Sequence, residues 1–192
     1  FWTDVVLEDE SLYNYLQVTE KGNSVILSTN VAFGVQSIYT RDRILSGYYY
    51  DYALMSPLFL KDGSTEKSFD VLVLGMGTGT FAKECKYFYP NSNIVGVEID
   101  EKIVDLSRKY FELKEEEATI YVNDGRTFMS SPEAGMYDII LVDAYHDITI
   151  PFHMATTEFF AILKEHLKPG GVLMVNINMR SKNNTEITDY LT

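Results

Sequence analysis

The stretch that most restricts the fold is VLVLGMGTGT at residues 71–80. An apolar strand runs into three alternating glycines, Gly75, Gly77 and Gly79, and then into a helical pattern. Glycine at these places permits a tight turn and lets backbone N–H groups at a helix start approach a bound group. The same rhythm repeats downstream. Strand NIVGVEID leads to helix EKIVDLSRKYF, strand ATIYVND to a short helix near GRTFM, and strand YDIILVDAY to helix TTEFFAILKEHL. A Lys-Pro-Gly-Gly turn then introduces strand GVLMVNI. Short V/I/L-rich strands alternating with amphipathic helices require a parallel sheet covered on both faces, an α/β architecture.

The first third of the chain has a different rhythm. LYNYLQVTEKGNSVILSTN holds two alternating runs around Lys-Gly-Asn, which predicts a β-hairpin, and VAFGVQSIYT predicts a further strand carrying Gln36. LSGYYYDYALMSPLFL has helical length and stops near Pro57. Its tyrosines at 48, 49, 50 and 52 cannot all share one helical face. The polar run KDGSTEKS (61–68) separates the two rhythms, so the expected division is a small N-terminal β-region with its linking helix at 1–62 and a nucleoside-binding unit at 63–192.

Three strand ends converge on the carboxyl edge of the expected sheet, where open α/β folds bind ligands. The first carries the glycine loop. The second ends at Glu98 and Ile99, about 20 residues on, where an acidic side chain can hold two ribose hydroxyls. The third ends at Asp124 and Gly125, placed to bind an adenine amino group. Gly-Met-Gly-Thr-Gly is closer to loops that hold an adenosylmethionine-type nucleoside than to a pyrophosphate loop. A fourth strand ends in LVDAYHDITIPFHM, with Asp143, Asp147, His146 and His153 in one loop. No Cys or His-x-x-x-His spacing accompanies them, so both histidines are expected as loop residues and no metal is expected.

Composition narrows the classes. A net charge of −12 would repel nucleic-acid phosphates, so no nucleic-acid partner is expected. Cys85 is alone, which excludes an internal disulfide, fits a reducing compartment and is read as a buried thiol. No run reaches the roughly 20 apolar residues of a membrane span. The chain starts at Phe1 and stops as TEITDYL begins another helix, the pattern of a piece of a longer protein. The expected location is cytoplasmic, whether as a free protein or as the cytosolic domain of a membrane protein.

At this point the sequence resembles the polyamine aminopropyltransferases, the spermidine/spermine synthase family. DESLYNYLQV, GVQS and GYYYDYALMSPLF match the family's N-terminal β-region and first helix in order and spacing, and VLVLGMGTGT, GVEID, NDGRTF and YDIILVDAYHD…TTEFF follow its core motifs. The resemblance implies a Rossmann-like, S-adenosylmethionine-dependent methyltransferase fold behind a small N-terminal β-domain. It implies aminopropyl transfer from decarboxylated S-adenosylmethionine to an amine or polyamine acceptor, with release of methylthioadenosine, no metal, and a homodimer as family members commonly form. Carried over by motif, Gln36, Glu98, Asp124 and Gly125 would contact the nucleoside, Tyr50 would line the acceptor side, and Asp143 would accept the proton.

Three positions depart from the family pattern. Thr78 stands where the glycine loop usually carries an aspartate for the amine end of the donor. Asp51 follows the helix tyrosine where His or Gln is common. His146 occupies the fourth place of the family's Asp-x-x-Asp, and one inserted residue would align Asp147 with the second carboxylate. Tyr145, His146 and Asp147, with Asp51 and Thr78, therefore complete the expected substrate side. Two other readings stay open: an S-adenosylmethionine-dependent methyltransferase, which Thr78 suits by removing a repulsion against the donor carboxylate, and a non-catalytic nucleoside or polyamine sensor in a larger protein.

Overall fold

A computed structural model of the chain describes residues 2–61, 67–144 and 150–177. Four antiparallel strands come first, β1 (Val5–Glu10), β2 (Tyr15–Lys21), β3 (Ser24–Thr29) and β4 (Ser37–Thr40), paired in that order. The expected hairpin is β2–β3: Lys21 pairs with Ser24 across a two-residue turn in which Gly22 takes a positive φ of 59°. β1 adds an outer strand that the sequence reading did not separate.

The long helix expected over residues 45–60 is not formed. Helix α1 covers only Tyr50–Ala53, and a 3-10 turn follows at Ser56–Phe59. Gly47 has a φ of +83°, which stops the helix from starting earlier, and Pro57 withholds the N–H needed to continue it.

The second sheet is parallel throughout. Its strands are β5 (Phe69–Leu74), β6 (Ser92–Glu98), β7 (Thr119–Val122), β8 (Tyr137–Val142) and β9 (Leu167–Val175), in the order β7-β6-β5-β8-β9. Helices α2 (Thr80–Phe88), α3 (Glu101–Lys109), α4 (Gly125–Met129) and α5 (Thr157–Glu165) link successive strands. The order reverses at β5, so the carboxyl ends of β5 and β8 flank the switch point where such sheets bind ligands. This is the Rossmann-like fold with a small N-terminal β-domain.

Successive residues of a strand face opposite sides, and the core divides accordingly. Val71, Val73, Ile139 and Leu141 pack with Phe81, Ala82 and Cys85 of α2. Leu72, Leu74, Ile140 and Val142 pack with Phe128, Met129, Phe159 and Leu163. Burial raises the Cys85 thiol to about 11, so it stays protonated. A third cluster joins the two sheets: Leu16, Val18, Val25 and Leu27 cover Ile103, Leu106 and Phe111. Polar contacts seal its rim, with Asn14 Nδ2 donating to Asp100 Oδ2 at 2.9 Å and Lys102 Nζ pairing with Asp9 at 2.8 Å.

The Lys-Pro-Gly-Gly segment is not a turn ahead of the last strand. It lies inside β9 as an irregularity: Tyr137 pairs with Leu167, but Ile139 pairs with Val172. Gly170 takes a φ of +83°, and Lys168 Nζ binds Asp70 at 2.5 Å and Asp138 at 2.8 Å, which pins the irregular segment to β5 and β8. Among the described residues no helix is long and apolar enough to cross a membrane, and no group of three or more His, Cys, Asp or Glu is arranged to hold a metal ion.

Candidate active site

The glycine loop forms the floor of the site. Gly75 (φ +83°) and Met76 donate their N–H groups to Val97 O at 2.9 and 3.1 Å. A Cβ on Gly75 would stand 2.6 Å from Ala144 Cα and from Asp143 O, so the loop passes directly beneath the end of β8. Gly77 (φ +57°) donates to Glu98 Oε2 at 2.9 Å, and Asp100 donates to Oε1 at 3.1 Å. Burial raises the pKa of the Glu98 carboxyl against the opposing pull of these N–H groups. Gly79 (φ +78°) caps α2 and has no room for a Cβ, which would meet Leu113 Cδ2 at 2.7 Å.

Above this floor lies a cavity of about 250 Å³. Gln36, Gly75, Glu98, Ile99, Asp124, Gly125 and Asp143 all line it, so the structure brings most of the sequence-predicted nucleoside residues to one space. Asp124 caps α4 by accepting from Thr127 N at 2.8 Å, and its other oxygen meets His153 Nε2 at 3.1 Å. Burial works to raise the Asp124 carboxyl, but these two partners outweigh it and hold its pKa below the ordinary value. Gly125 packs closely on Met154, whose terminal methyl a Cβ would meet at 2.9 Å and have to displace.

Asp143 follows β8 directly, and its backbone N–H extends the ladder to Leu74 O at 2.8 Å. Its carboxylate accepts from Tyr49 O–H at 2.9 Å on Oδ2 and from Asn176 Nδ2 at 2.8 Å on Oδ1. Burial pushes its pKa up to about 6, and the two donors restrain that rise. A smaller recess adjoins the first cavity and shares Gln36, Gly75 and Asp143 with it, closed by Tyr49, Tyr50 and Phe81.

Not every predicted residue reaches this space. Tyr50 borders the recess, but its hydroxyl bridges the backbone of Ile38, accepting from N at 3.1 Å and donating to O at 3.3 Å. Asp51 turns back instead, accepting from Ser46 N at 3.1 Å and Gly47 N at 2.7 Å. Glu84 of α2 shares the Ser46 N–H at 3.2 Å, so two carboxyl groups converge on one donor. Thr78 is fully buried, with its hydroxyl 3.4 Å from that of Thr80, and borders neither cavity. Tyr145, His146 and Asp147 lie outside the described residues.

Sequence reading missed several contributors. Tyr49, adjacent to the expected Tyr50, is the tyrosine that reaches Asp143. His153, expected only as a loop residue, lines the nucleoside-sized cavity, as do Tyr13, Asn14 and Thr29 of the N-terminal sheet. Asn176 had a legible signal. It follows β9 as Asp143 follows β8, and parallel neighbours bring equivalent ends together.

Comparisons with known proteins give the family and the fold. A model of the spermine/spermidine synthase domain matches residues 55–191. The chain is 50% identical over 194 residues to a probable polyamine aminopropyl transferase of Bifidobacterium longum, an alignment covering all of this chain and 42% of that protein. It is 33% identical over 116 residues to putrescine N-methyltransferase 1 of Nicotiana tabacum, covering 58% of this chain and 31% of that one. The chain thus spans less than half the length of these two relatives. A probable spermidine synthase structure from Corynebacterium glutamicum shares the fold, with a TM-score of 0.77, 22% identity, and coverage of 89% of this chain and 63% of that one. On the matched domain and the shared identity, the chain belongs to the spermine/spermidine synthase family.

Proposed function

We propose that this chain carries the catalytic site of a polyamine aminopropyltransferase, with decarboxylated S-adenosylmethionine as donor substrate and a di- or polyamine as acceptor. The observation that carries this reading is a buried, doubly hydrogen-bonded Asp143 shared by a nucleoside-sized cavity and the adjoining recess. The residues present suit the donor. Glu98 offers carboxylate lone pairs to ribose hydroxyls, Asp124 can accept from an exocyclic amine, and Gly75 and Gly125 leave room for a flat base and its sugar.

An acceptor ammonium has no lone pair, so it must lose a proton before it attacks the carbon beside the sulfonium. Asp143 takes that proton. The new C–N bond forms as the C–S bond breaks, and the bonding pair leaves on sulfur as the neutral thioether of methylthioadenosine. Burial has already lifted Asp143 to about 6, and desolvation of the acceptor ammonium lowers it from the roughly 10.4 of an ordinary alkylammonium, so the two approach each other in the site. The sulfonium is itself an activated leaving group, so the chain needs to supply position and a base. In the proposed assignment, Gln36 and Ile99 flank the nucleoside, while Tyr50, Tyr145, His146 and Asp147 belong to the acceptor side.

Methyl transfer is the second reading, supported by the chain's likeness to a putrescine N-methyltransferase. The two readings differ in product. The full-length protein incubated with decarboxylated S-adenosylmethionine and putrescine, spermidine or another polyamine should release methylthioadenosine. Release of S-adenosylhomocysteine from S-adenosylmethionine and putrescine, with no methylthioadenosine from any amine, would replace aminopropyl transfer by methyl transfer.

A further inference from the structure

The proton acceptor sits between two donors of one kind: both are neutral. Tyr49 O–H binds Asp143 Oδ2 and Asn176 Nδ2 binds Oδ1, at 2.9 and 2.8 Å. Asn176 is fixed by the sheet itself. Val142 pairs with Val175 in parallel register, and Asn176 N–H donates to Val142 O at 2.9 Å, the rung beside Asp143. The amide therefore approaches the carboxylate along the sheet edge, opposite the approach from α1 that brings Tyr49.

We infer that Asn176 is a positioning residue for the proton acceptor, which fixes the Asp143 carboxylate and favours its ionised form without adding charge to the site. Its catalytic meaning rests on the transfer reading above. The chemistry explains why an amide suits this place. Both substrates of that reaction are cations, a sulfonium and an ammonium. Lysine or arginine beside Asp143 would hold the carboxylate ionised but repel both of them, and would pull its pKa far below that of the amine. A neutral donor keeps the carboxylate anionic near neutral pH and leaves its charge available to the substrates.

The other titratable groups around this space do not substitute for it. Tyr49 and Tyr50 face Asp143 from the α1 side, Glu98 lies at the end of β6, and Asp124 pairs with His153 across the cavity. The hydrogen bonds from Asn176 and Tyr49 are what restrain the effect of burial on the Asp143 carboxylate.

The test reads the Asp143 carboxyl directly, by carbon-13 NMR titration of the full-length protein, with the resonance assigned by its loss in Asp143→Asn. Asn176→Leu removes the donor at similar volume and should raise the titration midpoint by about one pH unit or more, the size expected for losing a hydrogen bond to a charged group. Asn176→Gln, which retains an amide donor, should bring the midpoint back towards the wild-type value. Should Asn176→Leu fail to fold, Asn176→Ala serves the same titration. A midpoint in the donor-deleted variant within about 0.3 pH units of wild type, well short of that one-unit effect, would overturn the inference. In active protein, the acid limb of kcat/KM should move with the midpoint, while a fall in kcat at an unmoved limb would mark a merely structural role and also overturn it. Because the titration needs no substrate, failure of the transfer reading leaves this result legible.

Discussion

Burial makes Asp143 a stronger base than a surface aspartate, because its charged form loses water that two hydrogen bonds only partly replace. The sign follows directly. As the proposed proton acceptor, Asp143 would work in its ionised form, so turnover should rise with pH through an acid limb centred near about 6. A limb near the ordinary aspartate value of 3.8 would show that another group sets it. Asp143→Asn should lower kcat by roughly 10²–10⁴-fold, the usual contribution of a positioned base, while calorimetry still detects methylthioadenosine binding. At this scale the sequence was informative wherever a residue's place follows from a strand end. Glu98, Asp124 and Asp143 end successive strands of one sheet, and all three line the cavity. It was silent where a contact depends on a turn it could not foresee. Tyr49 and Tyr50 are neighbours in sequence, and only the brevity of α1 decides which hydroxyl meets Asp143 and which bridges Ile38.

Among the elements, α1 and α2 are tied by the carboxyl groups of Asp51 and Glu84 on Ser46. Burial, reinforced by the Asp51 charge, raises Glu84 to about 8. A raised pKa means that the folded state keeps a proton the unfolded state has already lost. Stability on this account falls as pH rises from 4.5 towards about 8. Glu84→Gln removes that proton exchange, so its melting temperature relative to wild type should improve steadily across this range, and parallel curves would disprove the coupling. The glycine loop gives a sharper test. Gly75→Ala combines a left-handed backbone with a Cβ 2.6 Å from Ala144 and Asp143. It should cost on the order of 2–4 kcal/mol in chemical denaturation. Strand and helix alternation made the parallel sheet legible because each period is local. The expected helix before Pro57 failed because its apolar spacing could not reveal the positive φ at Gly47 or the side-chain bonds of Asp51.

At the level of the whole molecule, a change of rhythm along the sequence indicated two regions, and their join is a hydrophobic core. Phe111 is fully buried between the antiparallel sheet and α3, alongside Leu16, Leu27 and Ile103. Phe111→Ala should therefore destabilise both regions together by about 3–5 kcal/mol, in one cooperative transition followed by far- and near-ultraviolet circular dichroism. Two separate transitions would show that the regions fold independently. The irregular segment of β9 has a wider consequence. Two steps along β8, from Tyr137 to Ile139, correspond to five along β9, from Leu167 to Val172, yet the pairing is regular again by Ile139 and stays so to Val142. The extra length is taken up at the amino end of the sheet, fastened there by Lys168, while the site lies at the other end. The irregularity and its anchor are thus set apart from the end of the strand that carries Asn176, and regular pairing alone places the partner that meets Asp143.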